Sequence, residues 1–275
     1  MSDKVQKLGH SIIQHGKENN RIYLMKYSDS DRLNIINQLD EIAKQHKYTK
    51  IVAKVPEKVK KLFIDNKYKQ EAFIPNYCSS EVYVFMCKYF EKEREKLIIA
   101  EIEQVLQHAK IKSGKQNIPI LPQDWHLKSL HYKDASNMAC LYKKVFKTYP
   151  FPIHDEEYLK STMKDNVNYF GIYKQDKLIA ISSSETDKEC LNCEMTDLAI
   201  LPEYRGQNYS LVLLSEMEQK LKKQKFKVLY TIARAKSYST NIAFSKLNYL
   251  YGGTLINNTN ICGSIESMNV WHKEI

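Results

Sequence analysis

Leu201-Pro202-Glu203-Tyr204-Arg205-Gly206-Gln207-Asn208-Tyr209-Ser210 lies between an apolar run, 193–201, that reads as a strand, and a stretch with Leu211, Leu214, Met217 and Leu221 at helical spacing. A strand that stops at a proline and reopens as an amphipathic helix leaves main-chain N–H groups unpaired at the helix start. Such groups can hold phosphate oxygens, and Arg205 adds a positive charge at the rim. The segment therefore predicts an anion site where a strand meets a helix. Many α/β folds contain a strand, a loop with one glycine and a helix, so this spacing alone does not say which anion.

Working outward, 168–174 and 177–185 read as strands joined by a short hairpin at Gln175-Asp176. Ahead of them, 125–132 is extended, 135–146 and 156–164 are helical, and Tyr149-Pro150-Phe151-Pro152 cannot be regular helix. Beyond the loop the order is strand (228–233), helix (240–247) and two strands, the last at 267–272. In the first half, strands are expected at 22–27, 50–55, 69–74 and 81–89. One helix there carries Leu33, Ile36, Leu39 and Ala43, and a second opens at Pro56 with Val59, Leu62 and Phe63. A charged helix at 91–112 precedes a stretch with Gly114, Pro119 and Pro122. This reading divides the chain into 1–112, a linker at 113–123, and a domain at 124–275. The fold class is α/β, a mixed sheet with helices.

The halves also resemble each other. Ile51-Val52-Ala53-Lys54 matches Thr231-Ile232-Ala233-Arg234, and 63–68 matches 244–249 at nearly the same offset. The match continues from 81–88 to 266–273. Residues 21–90 thus read as a partial copy of the final helix-strand-helix-strand-strand of the second half, and a bracing role is expected for them because they lack a counterpart of the 201–210 loop.

The 275 residues include 43% apolar residues, enough for a full core, and carry a formal net charge of +10. The scattered lysines read as a solvated surface rather than as a nucleic-acid or membrane patch. No apolar run approaches the ~20 residues of a membrane helix, and 1–20 is polar and charged, unlike a signal peptide. A cytoplasmic protein is expected, with its six cysteines as free thiols. Cys190 and Cys193 form the one CxxC, with no second pair to complete a zinc site, so no metal is expected.

The loop resembles the acetyl-CoA loop of GNAT acetyltransferases, in which Gln/Arg-x-x-Gly-x-Gly/Ala follows an apolar strand and cradles the pyrophosphate. Arg205, Asn208 and Ser210 fall on the three marked positions. Asn tolerates left-handed backbone and Ser is small, so both replacements suit the turn. More widely, the chain resembles the β-lysine N6-acetyltransferase family, which makes the compatible solute N6-acetyl-β-lysine. The resemblance rests on Gln14-His15-Gly16, Arg21-Ile22-Tyr23-Leu24-Met25-Lys26, Tyr48-Thr49-Lys50-Ile51, Tyr149-Pro150-Phe151-Pro152-Ile153, Glu194-Met195-Thr196-Asp197, Asn257-Asn258-Thr259-Asn260-Ile261 and Glu266-Ser267-Met268-Asn269-Val270-Trp271.

That resemblance implies an acetyl-CoA-dependent transferase with a small amino acid acceptor and no nucleic-acid or membrane partner. The oligomeric state stays open between a monomer and a homodimer. The implied cofactor contacts are Leu198, Ala199 and Ile200 on the strand, Arg205, Gly206, Gln207, Asn208, Tyr209 and Ser210 in the loop, and Asn241 and Phe244 in the last helix. The implied acceptor contacts are Tyr149, Phe151, Asp197, Asn258, Glu266 and Asn269.

A lysine-type amine has a pKa near 10.4, so its nucleophilic form costs roughly 4 to 5 kcal/mol at about pH 7 unless a base assists. Glu194, eleven residues ahead of Arg205, matches the strand position of the catalytic Glu of some GNAT enzymes. Strand alternation puts Glu194, Thr196, Leu198 and Ile200 on one face and Met195, Asp197 and Ala199 on the other, so only one of the two carboxylates is expected to face the thioester. Phe244 stands where these enzymes often carry a Tyr acid, which leaves Tyr238, Ser239 or water as proton donors and core packing as the plainer role for Phe244. Two other readings remain: a peptide, protein or other small-amine N-acetyltransferase, and a protein of this shape without turnover that binds CoA or nucleic acid.

Overall fold

The computed structural model describes residues 3–96 and 99–275. The chain runs through β1 (Lys4–Leu8), β2 (Ser11–Gly16), β3 (Arg21–Lys26), α1 (Ile35–His46), β4 (Lys50–Pro56), α2 (Lys60–Asp65), β5 (Lys69–Cys78), β6 (Glu81–Tyr89), α3 (Lys92–Glu95) and α4 (Ile99–Ile111). It continues with β7 (Trp125–Leu130), α5 (Ala135–Val145), α6 (Glu156–Asp165), β8 (Val167–Lys174), β9 (Lys177–Asp187) and β10 (Asn192–Ile200). The last elements are α7 (Tyr209–Lys223), β11 (Val228–Arg234), α8 (Tyr238–Lys246), β12 (Leu250–Ile261) and β13 (Ser264–Glu274).

All strands join one mixed α/β sheet in the order β1-β2-β3-β4-β6-β5-β12-β13-β11-β10-β9-β8-β7. Read from either side of the β5/β12 contact, the two halves mirror each other. Each has an antiparallel hairpin (β5–β6, β12–β13), then an antiparallel strand (β4, β11) that pairs in parallel with the next (β3, β10). The repeat in the structure therefore extends further than the sequence match over 21–90, because the hairpin β1–β2 takes the place that β8–β9 holds in the second half.

Helices cover the sheet where the apolar spacing predicts. On α7, Leu211, Leu214, Met217 and Leu221 are buried together with Leu213, each such side chain contributing about 1.5 to 3 kcal/mol. Asp155 accepts from the Glu157 N–H to cap α6, and Ser237 from the Thr240 N–H to cap α8.

Three expectations give way, and one stretch with no expected element forms strands. Leu33 is 90% exposed, because α1 begins only at Ile35 and buries Ile35, Ile36, Leu39 and Ala43. The stretch 91–112 is not one helix, since Lys96 is extended after α3. The polar N-terminus forms β1 and β2, joined by a turn at Gly9 (φ 63°). Cys78 and Cys190 are disulfide-bonded, because the mirrored sheet brings the end of β5 over the β9–β10 turn. Cys87, Cys140, Cys193 and Cys262 are free.

The two half-sheets meet at a single strand pair, Gly253 with Ala72. Gly253 has φ 129°, and a Cβ there would lie 2.2 Å from the Glu71 carbonyl oxygen. Beyond this pair β12 leaves the regular ladder, with a register shift between Leu255 and Thr259. First-half side chains supply the missing partners. Glu71 accepts from Ile256 N–H (2.9 Å), the buried Lys50 donates to the Ile256 carbonyl, Arg94 to Asn257 (2.7 Å) and Arg21 to Asn258 (2.8 Å), while Asn19 accepts from Asn260 N–H (2.7 Å).

A side chain at Gly253 must push the half-sheets apart or strain the backbone, at a cost of about 2 to 3 kcal/mol. Gly253→Val is expected to lower the melting temperature by about 5 °C or more in a thermal scan, and a variant melting within a degree of wild type would contradict this account of the seam.

Candidate active site

Strands β10 and β11 pair only from Asn192–Val228 to Glu194–Tyr230. Past that point β11 stays with β13 as far as Arg234, while β10 follows β9. The strands part, and the gap opens into a cavity of about 780 Å³. One wall is β10 from Glu194 to Leu198, and Thr231, Ile232, Ala233 and Arg234 of β11 face it. Tyr149, Phe151 and Tyr158 close the side, and Gln14, Arg21, Tyr23, Lys54 and Tyr77 of the first half form the opposite wall.

Simple alternation fails on β10. Asp197 has a left-handed backbone (φ 52°), and the pairing with β9 shifts between Thr196 and Ala199, a bulge that inserts one residue. Glu194 and Asp197 therefore both line the cavity, instead of pointing to opposite faces. Asp197 accepts from Tyr149 Oη (2.6 Å) and Ser183 Oγ (2.5 Å), while burial raises its pKa. Burial, helped by the charge of Glu185 across the strand pair, pushes Glu194 up to about 7, and Lys54 and the Tyr230 hydroxyl pull the other way. A carboxyl that titrates near neutrality in a cavity is suited to accept a proton from an amine.

The loop after β10 keeps its donors free. Arg205 turns back, its Nε donating to the Ile200 carbonyl (3.1 Å). Gly206 (φ 82°) and Asn208 (φ 59°) take left-handed backbone just before α7, and a Cβ at Gly206 would meet nothing within 4 Å. Among the described residues, the main-chain N–H groups of Gly206, Gln207, Asn208, Tyr209 and Ser210 have no protein acceptor. Asn208 Oδ1 accepts from Lys246 (3.0 Å), which brings a further cation to the turn. Free N–H groups at the start of a 15-residue helix, with basic side chains beside them, fit a diphosphate, and the parted strand edge running from the loop to Leu198 fits an extended arm. Ala199 is buried against the core and Ile200 is half-buried.

The remaining expected residues divide. Tyr149, Phe151, Asp197, Phe244 and Asn258 reach the cavity. Phe244 is almost wholly buried and meets Tyr249 edge-on, so it also packs the core. Asn241 does not reach the cavity. Its amide donates to the carbonyls of Arg234 and Ser237, and its oxygen accepts from Asn269 and Trp271. Asn269 is fully buried between Asn241 and Thr254, and Glu266 is held by Arg234 through two hydrogen bonds (3.0 and 2.6 Å), so all three side chains are engaged by protein partners outside the cavity wall. Tyr238 is 42% exposed and lies outside the cavity wall.

Sequence reasoning missed the first-half wall. The repeat carried the signal, because it aligns Lys54 with Arg234, and both line the cavity. Among the described residues no group of His, Cys, Asp and Glu side chains is arranged to hold a metal ion, and no helix is long and apolar enough to cross a membrane.

Residues 136–249 match the family model described as Acetyltransferase (GNAT) family. Over 272 residues, 98% of each chain, the sequence is 42% identical to the β-lysine N(6)-acetyltransferase of Methanococcus maripaludis. It is 38% identical to the β-lysine N(6)-acetyltransferase of Methanosarcina mazei over 55% of this chain and 56% of that one. It is also 28% identical to the N-acetyltransferase YodP of Bacillus subtilis over 96% of each.

The left-handed turn at Asn208 should tolerate glycine and reject β-branched residues. Asn208→Gly is expected to bind coenzyme A within about 3-fold of wild type, whereas Asn208→Val should bind about 10-fold more weakly, the equivalent of a 1 to 2 kcal/mol backbone cost. Titration calorimetry compares the two, and equal weakening by both would show that the side chain, not the backbone angle, matters.

Proposed function

This chain belongs to the β-lysine N6-acetyltransferases of the GNAT acetyltransferase family, and we propose that it moves an acetyl group from acetyl-CoA to the ε-amine of β-lysine, giving the compatible solute N6-acetyl-β-lysine. The observation that carries this reading is the full-length identity to such an enzyme, and the parted strands with a neutral-range carboxyl between them support it. In this reading residues 124–275 carry the transfer, 1–112 complete the acceptor cavity and 113–123 link them.

Acetyl-CoA supplies an activated acyl group on a thiol that leaves readily. The N–H groups of 206–210, with Arg205 and Lys246, would hold its diphosphate, and the unpaired edge of β10 up to Leu198 would hold its arm. The acceptor amine would then lie beside Glu194 on the cavity wall. An ammonium near pKa 10.4 must lose its proton before it attacks, and a carboxylate that binds protons at about pH 7 takes that proton without being fully protonated beforehand. Main-chain N–H groups of the bulged strand, held in place by its pairing with β9, would donate to the acyl oxygen and stabilise its developing negative charge without reorganising.

The acceptor reading is tested by thiol release from acetyl-CoA with β-lysine, lysine, ornithine and a lysine-containing peptide. β-Lysine is expected to give the highest kcat/KM, and a protein that answers only to the peptide would refute it. For the base, kcat/KM should rise with pH through about 7, as Glu194 loses its proton. Glu194→Gln should lower kcat about 10²- to 10⁴-fold and abolish that rise. An unchanged pH profile in the variant would remove Glu194 from the role.

A further inference from the structure

The charges around the cavity are divided between the halves of the chain. Glu185, Glu194 and Asp197 come from β9 and β10, whereas Arg21 and Lys54 come from β3 and β4. Among the described residues none of these five is in an ion pair with another side chain. Two buried cations face three carboxylates, of which Glu194 and Asp197 are half-buried and Glu185 exposed, and a buried cation short of salt-bridge contact is costly to keep in an empty fold. A ligand that carries both signs removes the cost.

The two cations are not equivalent. The Arg21 guanidinium is held at both terminal nitrogens, its Nη1 donating to the Asn258 carbonyl and Thr259 Oγ1 and its Nη2 to Gln14 Oε1 (3.4 Å), so that only its Nε lacks a partner. The Lys54 Nζ donates to Tyr230 Oη (3.3 Å) and lies 5.0 and 5.4 Å from the ring centres of Tyr77 and Tyr230. Phenol groups solvate an ammonium without neutralising it. The other cavity cations are engaged or peripheral, for Arg234 holds Glu266, Lys26 pairs with Glu189 at the rim and Lys188 is exposed.

We propose that Lys54, contributed by the half of the chain that has no cofactor loop, binds the carboxylate of the acceptor amino acid and so makes this half the determinant of acceptor specificity. This rests on the acceptor being β-lysine or a like diamino acid. An acceptor carboxylate at Lys54 leaves the cavity's own carboxylates for the two amines, and the buried Asn258 Oδ1, which has no partner, offers a further acceptor. It also offsets the pull of Lys54 on Glu194, so that the base strengthens when an acceptor of the right kind is bound.

The test compares β-lysine with 1,4-diaminopentane, the same diamine without its carboxylate. In wild type β-lysine should be preferred. Lys54→Met should lower kcat/KM for β-lysine about 10- to 100-fold, chiefly through KM, and leave 1,4-diaminopentane within about 3-fold. Lys54→Arg, which keeps the charge, should retain the preference. Equal losses on both amines, or an unchanged ratio in Lys54→Met, would overturn the proposal. A melting shift with coenzyme A like that of wild type certifies the fold of each variant, and Lys54→Gln carries the same comparison should Lys54→Met lack that shift. Wild-type protein inert towards β-lysine would overturn the acceptor reading alone, and lysine against cadaverine would then judge Lys54 by the same ratio.

Discussion

The main chain from Ile256 to Asn260 leaves its strand ladder inside the protein, and buried amide groups need partners. Five side chains from the other half provide them: Asn19, Arg21, Lys50, Glu71 and Arg94. This obligation fixes the half-sheets against each other more specifically than apolar contact could. Behind it lies a shared core in which Val52, Ile74 and Phe85 pack with Tyr230, Leu255 and Val270. The polar contacts set the register, and the apolar ones supply most of the energy. The cavity exists because the two halves are held in this way.

Within the cavity, one inserted residue changes the chemistry. Without the bulge at Asp197, Glu194 and Asp197 would face opposite sides of the sheet. With it they share one space, where burial works against the ionisation of both and the charges of Glu185 and Asp197 add to that effect at Glu194. The parting of β10 from β11 serves both ends of the site, since it frees the strand edge towards the loop and deepens the space beside Glu194.

The sequence made the second half legible because its elements carry strong local signals. Period-two and period-3.6 patterns located β8 to β11 and α7, and the left-handed tolerance of asparagine correctly anticipated Asn208 at φ 59°. Features that depend on pairing between distant strands were not legible. The bulge has no signature in Met195-Thr196-Asp197-Leu198, the Cys78–Cys190 bond joins residues 112 apart, and the amphipathic count on α1 started two residues early at Leu33. Asn241, Glu266 and Asn269 have polar types that suit a ligand, but only the fold shows that they satisfy one another's neighbours. Lys54 was hidden for the opposite reason, since one buried lysine among 42 basic residues has no local mark.

The mirrored sheet has an implication for assembly. Many cavities of this kind could be closed by a neighbouring molecule, and their completeness would then depend on how much protein is present. Here the closing wall is tethered to the wall it faces, at an effective concentration that dilution cannot lower. Arg21, which pairs with Lys50 as Glu194 pairs with Tyr230, shows how far the tethered half has diverged, a cation standing where its counterpart holds an acid. A wall that is always in place is free to change its charges one residue at a time.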